Sequence, residues 1–446
     1  MSTQTPVTVA DSPGTFAPLR HQPFRMLIGA RVLSMLGDSV APLALAFAVL
    51  DLTESVTSLG LVVAGRTVFY IIFVLLGGVI ADRLPRHFVM VGSSVLAGLS
   101  QGAAAVLFLT HTATIPVLLV VVSINGMAAA LSQPASAAII SQTVPTGVLK
   151  QANALSYMAT NAVGIASTAF AGVLIGFLGS GWVVAIDAAS FFIAAVFFAL
   201  IKIPDTAASA ADGEAEERVG LLVGLREGWR EFIGRTWLWV LVVGSMFYNA
   251  AYTGGIAVLA PQFADITIGR QAWGVVIATP MLGVIVGAFL AGRLRPQRLL
   301  AWGTAALAGV ALIPLGLVFW PNAYALIGAA FLAGIGIGQF NVAWETTMQS
   351  HIAPGMLARV YSYDMLGSFL AMPIGELAAG PAANAFGLRS AMFGVGLIMV
   401  LSVAAMLMAP SVWRIKHVTG AERSGPEESG KDARESVPDL KSDPVH

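Results

Sequence analysis

The chain has 446 residues, 57% of them hydrophobic and 11% charged, with a mean hydropathy of +0.81. A soluble protein of this size is not built that way, so lipid is its main solvent. The formal net charge is zero and there are no cysteines, so total charge points to no partner, nucleic acid included, and disulfide, thiol and iron-sulfur chemistry are excluded.

A hydrocarbon core about 30 Å thick takes about 20 apolar residues of helix. Runs of that length predict twelve spans, at 25–50, 58–81, 88–110, 115–140, 154–178, 182–203, 237–262, 272–292, 299–320, 323–347, 360–386 and 388–411. The alternating segments of about ten residues that a membrane barrel needs are absent. Residues 1–24 are polar and lead, through Arg20, His21 and Arg25, into a first run too long for a cleaved signal peptide. They are expected to form an uncleaved cytoplasmic segment.

The first span carries Arg31 and Asp38, seven residues and two turns apart, and the second carries Arg66. Each intramembrane charge costs at least about 2.5 kcal/mol at mid-bilayer, so each calls for an explanation. Counted from the cytoplasmic ends of two antiparallel spans, Asp38 and Arg66 differ in depth by about 3 Å, which permits an ion pair. Such a pair either glues two helices together or acts as a charge switch, in which protonating Asp38 releases Arg66. The phrase "GGVIADRLPR" at 77–86 follows, with Gly78, Asp82, Arg83 and Arg86; it returns at 287–296 as "GAFLAGRLRP", where Gly292 stands in place of the acid. Asp187 lies in the outer third of the sixth span and is expected to face an aqueous vestibule.

Segment 204–236 is the only long internal loop. Its acidic first part reads as a flexible linker. Its second part spaces Leu221, Leu225, Trp229 and Phe232 as an amphipathic helix at the cytoplasmic interface. Asp364 and Glu345 fall near the cytoplasmic ends of their spans and read as latches to arginines. Glu376, beside Pro373 and Gly375 in the eleventh span, is a further candidate for proton or substrate work. Polar and aromatic residues at mid-depth, namely Asn125, Tyr157, Asn161, Tyr248, Asn249, Tyr252, Gln339 and Asn341, are candidates for a substrate cavity; interhelical hydrogen bonding is their other reading. Residues 412–446 form a polar tail expected to be disordered.

With the N-terminus inside, Arg270 and Arg389 fall outside, Arg31 and Arg66 fall within spans, and every other lysine and arginine is cytoplasmic. The loop at 204–236 divides the spans six and six. Across it "GVLKQANALS" (147–156) and "GMLARVYSYD" (355–364) align at an offset of 208, which also pairs Gly172 with Gly380. The expected organisation is therefore all-α, with six-helix bundles at 25–203 and 237–411.

Two such halves, a cytoplasmic loop between them, and Gly78, Asp82, Arg83 and Arg86 after the second span together resemble the major facilitator superfamily. The stretches "PLRHQPFRMLIGARVLSMLGDSVAPLALAFAVLDLT" and "YSYDMLGSFLAMPIGELAAGP" look like bacterial exporters related to macrolide and siderophore efflux proteins. The chain departs from many proton-coupled drug exporters of that superfamily in two places. Its fourth span has no arginine, and its fifth keeps Gly164, Gly172 and Gly176 without a Gly-Pro pair, which sits instead at Gly380-Pro381 in the eleventh. The resemblance implies an inner gate in which Asp82 faces the start of the eleventh helix and Arg83 or Arg86 reaches Asp364.

No phosphate-binding loop occurs and no histidine pair has metal-ligand spacing, so neither an enzyme, local ATP hydrolysis nor a cofactor is expected. What the resemblance implies is a secondary transporter in the cell membrane, probing both faces by alternating access, with both termini cytoplasmic and acting as a monomer. A small molecule is its substrate and protons are its coupling ion; export of a drug-like or secondary-metabolite compound is the leading reading. A nutrient importer, a lipid flippase and a transporter-derived sensor remain as alternatives.

Overall fold

Backbone N–H and C=O groups have no water to bond in lipid, so apolar segments of spanning length fold as helices. A computed structural model describes residues 16–415 apart from 82–85, 146–147, 202–227, 295–296 and 353; side chains at certain other helical positions, among them 75–81, 86, Tyr157 and Asn161, also fall outside the description. The described residues form twelve helical segments, ten of them long and apolar enough to cross a membrane and an eleventh, Leu149–Leu178, if its bent halves count as one. They are α1 (Gln22–Thr53), α2 (Val56–Ala81), α3 (Arg86–Leu109), α4 (Ile115–Thr143), α5 (Leu149–Leu178), α6 (Ser180–Ala199), α7 (Thr236–Thr253 and onward to Asp265), α8 (Arg270–Leu294), α9 (Leu299–Ala306 and onward to Phe319), α10 (Ala323–His351), α11 (in two pieces, Pro354–Phe369 and Met372–Phe386) and α12 (Leu388–Met408).

Three spans are interrupted. A π-helical stretch, Gly254–Leu259, lies within α7, and a 3-10 stretch, Leu307–Ala311, within α9. In α11 the break falls at Leu370 and Ala371, and Pro373, which has no N–H to donate, stands in the first turn of the restarted helix. Glu376 sits one turn beyond that break.

The spans form two bundles of six. In the first, α2 packs on α4, α3 on α4 and α6, and α1 on α5 and α6; in the second, α8 and α9 pack on α10 and α7 on α12. The halves meet along α5 with α8 and along α2 with α11. Phe170, Phe177, Trp182, Leu282, Phe289 and Met408 point outward and are exposed, as lipid contact allows.

The duplication seen in the sequence is written in the backbone. Gly179 (φ 80) joins α5 to α6 and Gly387 (φ 83) joins α11 to α12, again 208 positions apart, in a conformation that side chains disfavour. The pair found by alignment performs equivalent packing. A Cβ at Gly172 would stand 2.4 Å from the Arg270 carbonyl oxygen of α8, and one at Gly380 would stand 2.3 Å from the Thr57 Cα of α2. Both glycines therefore let the halves approach backbone to backbone.

Of the amphipathic segment, only its end is described. Phe232 is buried, and Trp229 and Phe232 pack on Tyr363 of α11 with ring centroids 5.4 Å and 5.9 Å away. Leu221 and Leu225 lie outside the described residues, as does the tail from 416.

Candidate functional site

Between the halves lies a cavity of about 230 Å³. The first half lines it with Asp38 and Pro42 of α1, Arg66 and Thr67 of α2, Gln101 of α3 and Asn125 of α4. The second half contributes Ile256 and Pro261 of α7 and Trp273 and Ile277 of α8. The expected Asp38–Arg66 ion pair is not formed: no salt bridge within 4.0 Å joins them among the described residues. Arg66 Nε instead donates to Asn125 Oδ1 at 3.0 Å, because α2 lies tightly on α4, while Asp38 accepts from Ser34 at 3.4 Å. The two charges thus face one space without closing on each other.

Two further carboxylates flank this cavity. Glu376 is 2% exposed and accepts from Thr67 at 3.2 Å, so an acid of the second half bonds the helix that carries Arg66. Asp187 is 1% exposed, and the aqueous vestibule expected around it is absent. The cause is Gly37: a Cβ there would stand 2.0 Å from Asp187 Oδ1, so α1 presses directly onto the acid. Gln101 donates to Asp187 at 2.6 Å and links it to the cavity wall. One outer carboxylate oxygen on each of Asp187 and Glu376 has no hydrogen-bond partner. The Arg66 charge acts on Asp38, Asp187 and Glu376 alike. Arg31 is not among the residues lining this cavity; its Nη1 donates to Ser156 of α5 at 2.6 Å.

On the side of the bundle where α1 ends, the halves are clasped by Arg270. Its guanidinium donates to both oxygens of Asp51 on α1, at 2.9 and 2.5 Å, and to both oxygens of Asp265 on α7, at 2.9 and 2.8 Å. It also lies over the Phe47 ring, 4.6 Å from the centroid. Sequence reasoning noted Arg270 only for its side of the membrane. Three charges gathered at the ends of spans 1, 7 and 8 were the available signal.

A second hollow, about 410 Å³, lies inside the second half, between α7, α9, α10 and α11. It collects four of the eight cavity candidates, Tyr248, Asn249, Tyr252 and Asn341, and adds Phe340, Trp344 and Asp364. Tyr248 spends its hydroxyl on the Leu307 carbonyl at 3.1 Å, and Asn249 donates to the Ser368 carbonyl at 3.1 Å. Asn125 lines the first cavity; Gln339 is not among the residues lining either; the Tyr157 and Asn161 side chains lie outside the described residues.

Helix α11 begins at Pro354, six residues before the apolar run, so Asp364 lies about 15 Å along it. There it accepts from Trp344 Nε1 and from Ser368 Oγ, each at 3.1 Å. Its expected latch partners Arg83 and Arg86, with Gly78 and Asp82, have side chains outside the described residues. Among the described residues Glu345 accepts from Tyr361 and Gln349 and forms no salt bridge with an arginine.

Twelve apolar spans in two repeated bundles, with a charged cavity where the bundles meet, define a helical membrane transporter. The sequence model of the Major Facilitator Superfamily matches residues 27–376, and the chain belongs to that family. Macrolide efflux protein A of Streptococcus pyogenes is 22% identical over 376 residues, covering 82% of this chain and 90% of that protein. An uncharacterized MFS-type transporter of Sinorhizobium fredii, y4rN, is 27% identical over 309 residues, covering 66% and 72% respectively. Among solved structures, the nucleoside transporter NupG superposes with a TM-score of 0.68 at 14% identity, over 88% of this chain and 100% of that one.

Proposed function

We propose that this transporter exports an amphipathic drug-like or secondary-metabolite molecule, by alternating access driven by proton entry. The observation that carries the reading is the inter-half cavity, where Asp38 and Arg66 share one space unpaired while Glu376 reaches across to Thr67. Protonating Asp38 removes a negative charge from around Arg66, and the balance between cavity-open and cavity-closed arrangements shifts with it. A membrane potential supplies about 2.3 kcal/mol per charge per 100 mV, and one pH unit about 1.36 kcal/mol per proton. Together, at about 3.7 kcal/mol, they are comparable to the cost of about 3–5 kcal/mol for a buried charge left without its partner.

In this reading the side where α1 begins is cytoplasmic, both termini lie there, and the monomer works in the cell membrane. Arg270 and Asp51 hold the outer side shut while substrate enters from within. Gly78, Asp82, Arg83 and Arg86 form the inner gate. Asp82→Asn then lowers transport more than membrane insertion, and equal loss of both counts against the gate. Similarity to macrolide efflux protein A favours export.

The test is a compound-susceptibility panel on cells with and without the protein, repeated with a protonophore. Protection that the protonophore removes supports the proposal. Accumulation of labelled compounds, where extrusion is expected, makes it an importer.

A further inference from the structure

We propose that the hollow inside the second half binds an organic cation, a protonated or quaternary amine with an aromatic or other apolar body. The inference rests on the reading of that hollow as substrate-facing and adds the class of molecule it takes.

Charge is the first argument. Both donors to Asp364, Trp344 Nε1 and Ser368 Oγ, are neutral. An ionised carboxylate has about four acceptor sites, so the described residues leave about two open. Among the described residues no lysine or arginine lies within 4.0 Å of Asp364, and the other charge acting on it is a second acid, Glu345. A membrane-embedded hollow of this sign favours a cation and disfavours an anion. The inter-half cavity, by contrast, holds Arg66 beside Asp38, so its lining carries both signs.

The walls are the second argument. Phe340 and Trp344 stack with centroids 6.0 Å apart and planes 17° from parallel, and Tyr248 and Tyr252 stand opposite on α7. Aromatic faces attract a cation through their quadrupole and also accept its apolar body. With the Tyr248 hydroxyl spent on Leu307, that ring serves as wall, not as donor. A volume of about 410 Å³ lies in the range of drug-sized ligands.

The test is equilibrium dialysis of the full chain in detergent micelles against tetraphenylphosphonium, with tetraphenylborate as a probe of the same shape and opposite charge. Both carry permanent charges, so neither changes its own protonation. The phosphonium should bind at least ten-fold tighter than the borate. Asp364→Asn should remove at least ten-fold of that phosphonium affinity and leave the borate within about three-fold, and Asp364→Glu should restore most of the loss. If Asp364→Asn does not purify as a monodisperse protein, Tyr252→Leu, which removes a wall ring, should weaken phosphonium binding at least three-fold. Equal binding of the two probes overturns the proposal, as does unchanged phosphonium affinity in Asp364→Asn or, where that variant fails, in Tyr252→Leu. Binding in micelles needs no gradient. Charge-selective binding in a protein that protects no cell would retire the export reading and keep this one; protection with unselective binding would do the reverse.

Discussion

The two cavities differ in what surrounds them. The one between the halves is built around charge, with Asp38, Arg66 and, close behind, Asp187 and Glu376, and its walls belong to both bundles. The one inside the second half is lined by rings and one acid, Asp364, and among the described residues its walls belong to one bundle. A rocking motion of one bundle against the other changes the first set of distances and leaves the second nearly fixed. Groups that sense a driving ion belong where distances change, and groups that recognise a molecule belong where they do not.

The largest expected effect breaks that comparison if it fails. Asp38→Asn should abolish gradient-driven efflux at normal membrane abundance, measured with a fluorescent substrate in inverted vesicles under an imposed pH gradient; efflux that survives would place the coupling charge elsewhere. Next is the clasp. Because the chain has no cysteine, Ala46→Cys in the inter-half cavity is a clean reporter of access from the far side. Adding Asp51→Asn should raise its labelling by an external maleimide about five-fold, the factor for roughly 1 kcal/mol, and unchanged labelling would mean Arg270 holds nothing shut. A smaller loss, shared by both halves, is expected from Gly172→Leu and Gly380→Leu. Each forces a side chain against backbone and costs about 1–3 kcal/mol of stability. Similar drops in folded yield would sharpen the symmetry of the two contacts, and a drop in only one would contradict it. The smallest is Tyr248→Phe, which orphans a carbonyl for about 1 kcal/mol. A fall of a few degrees in Tm in micelles, with transport retained, fits a wall residue; lost transport would give its hydroxyl a direct role in recognition.

The spans, their number and the duplication were legible because hydropathy and glycine spacing are local properties of the chain. The early start of α11 was hidden because Pro354 to Arg359 is too polar to continue an apolar run, although it folds as helix. The burial of Asp187 was hidden because it depends on Gly37, 150 positions away, leaving room for α1 to close over it. Arg66 chose Asn125 over Asp38 through the packing of α2 on α4, which no spacing within one helix reports. The four candidates gathered in the second hollow were identifiable by residue type. That they share one hollow, and that Asp364 joins them, required the bundle.

Arg270 divides its donors between an acid of the other half, Asp51, and an acid of its own, Asp265. When the far side parts, only the first is given up, and the guanidinium keeps a partner throughout. The penalty for parting is therefore the difference between two acids and one, not between one and none. Under the proposed alternating access, a clasp of that kind lowers the cost of opening instead of forbidding it, and Asp265 sets that cost although it never crosses the seam.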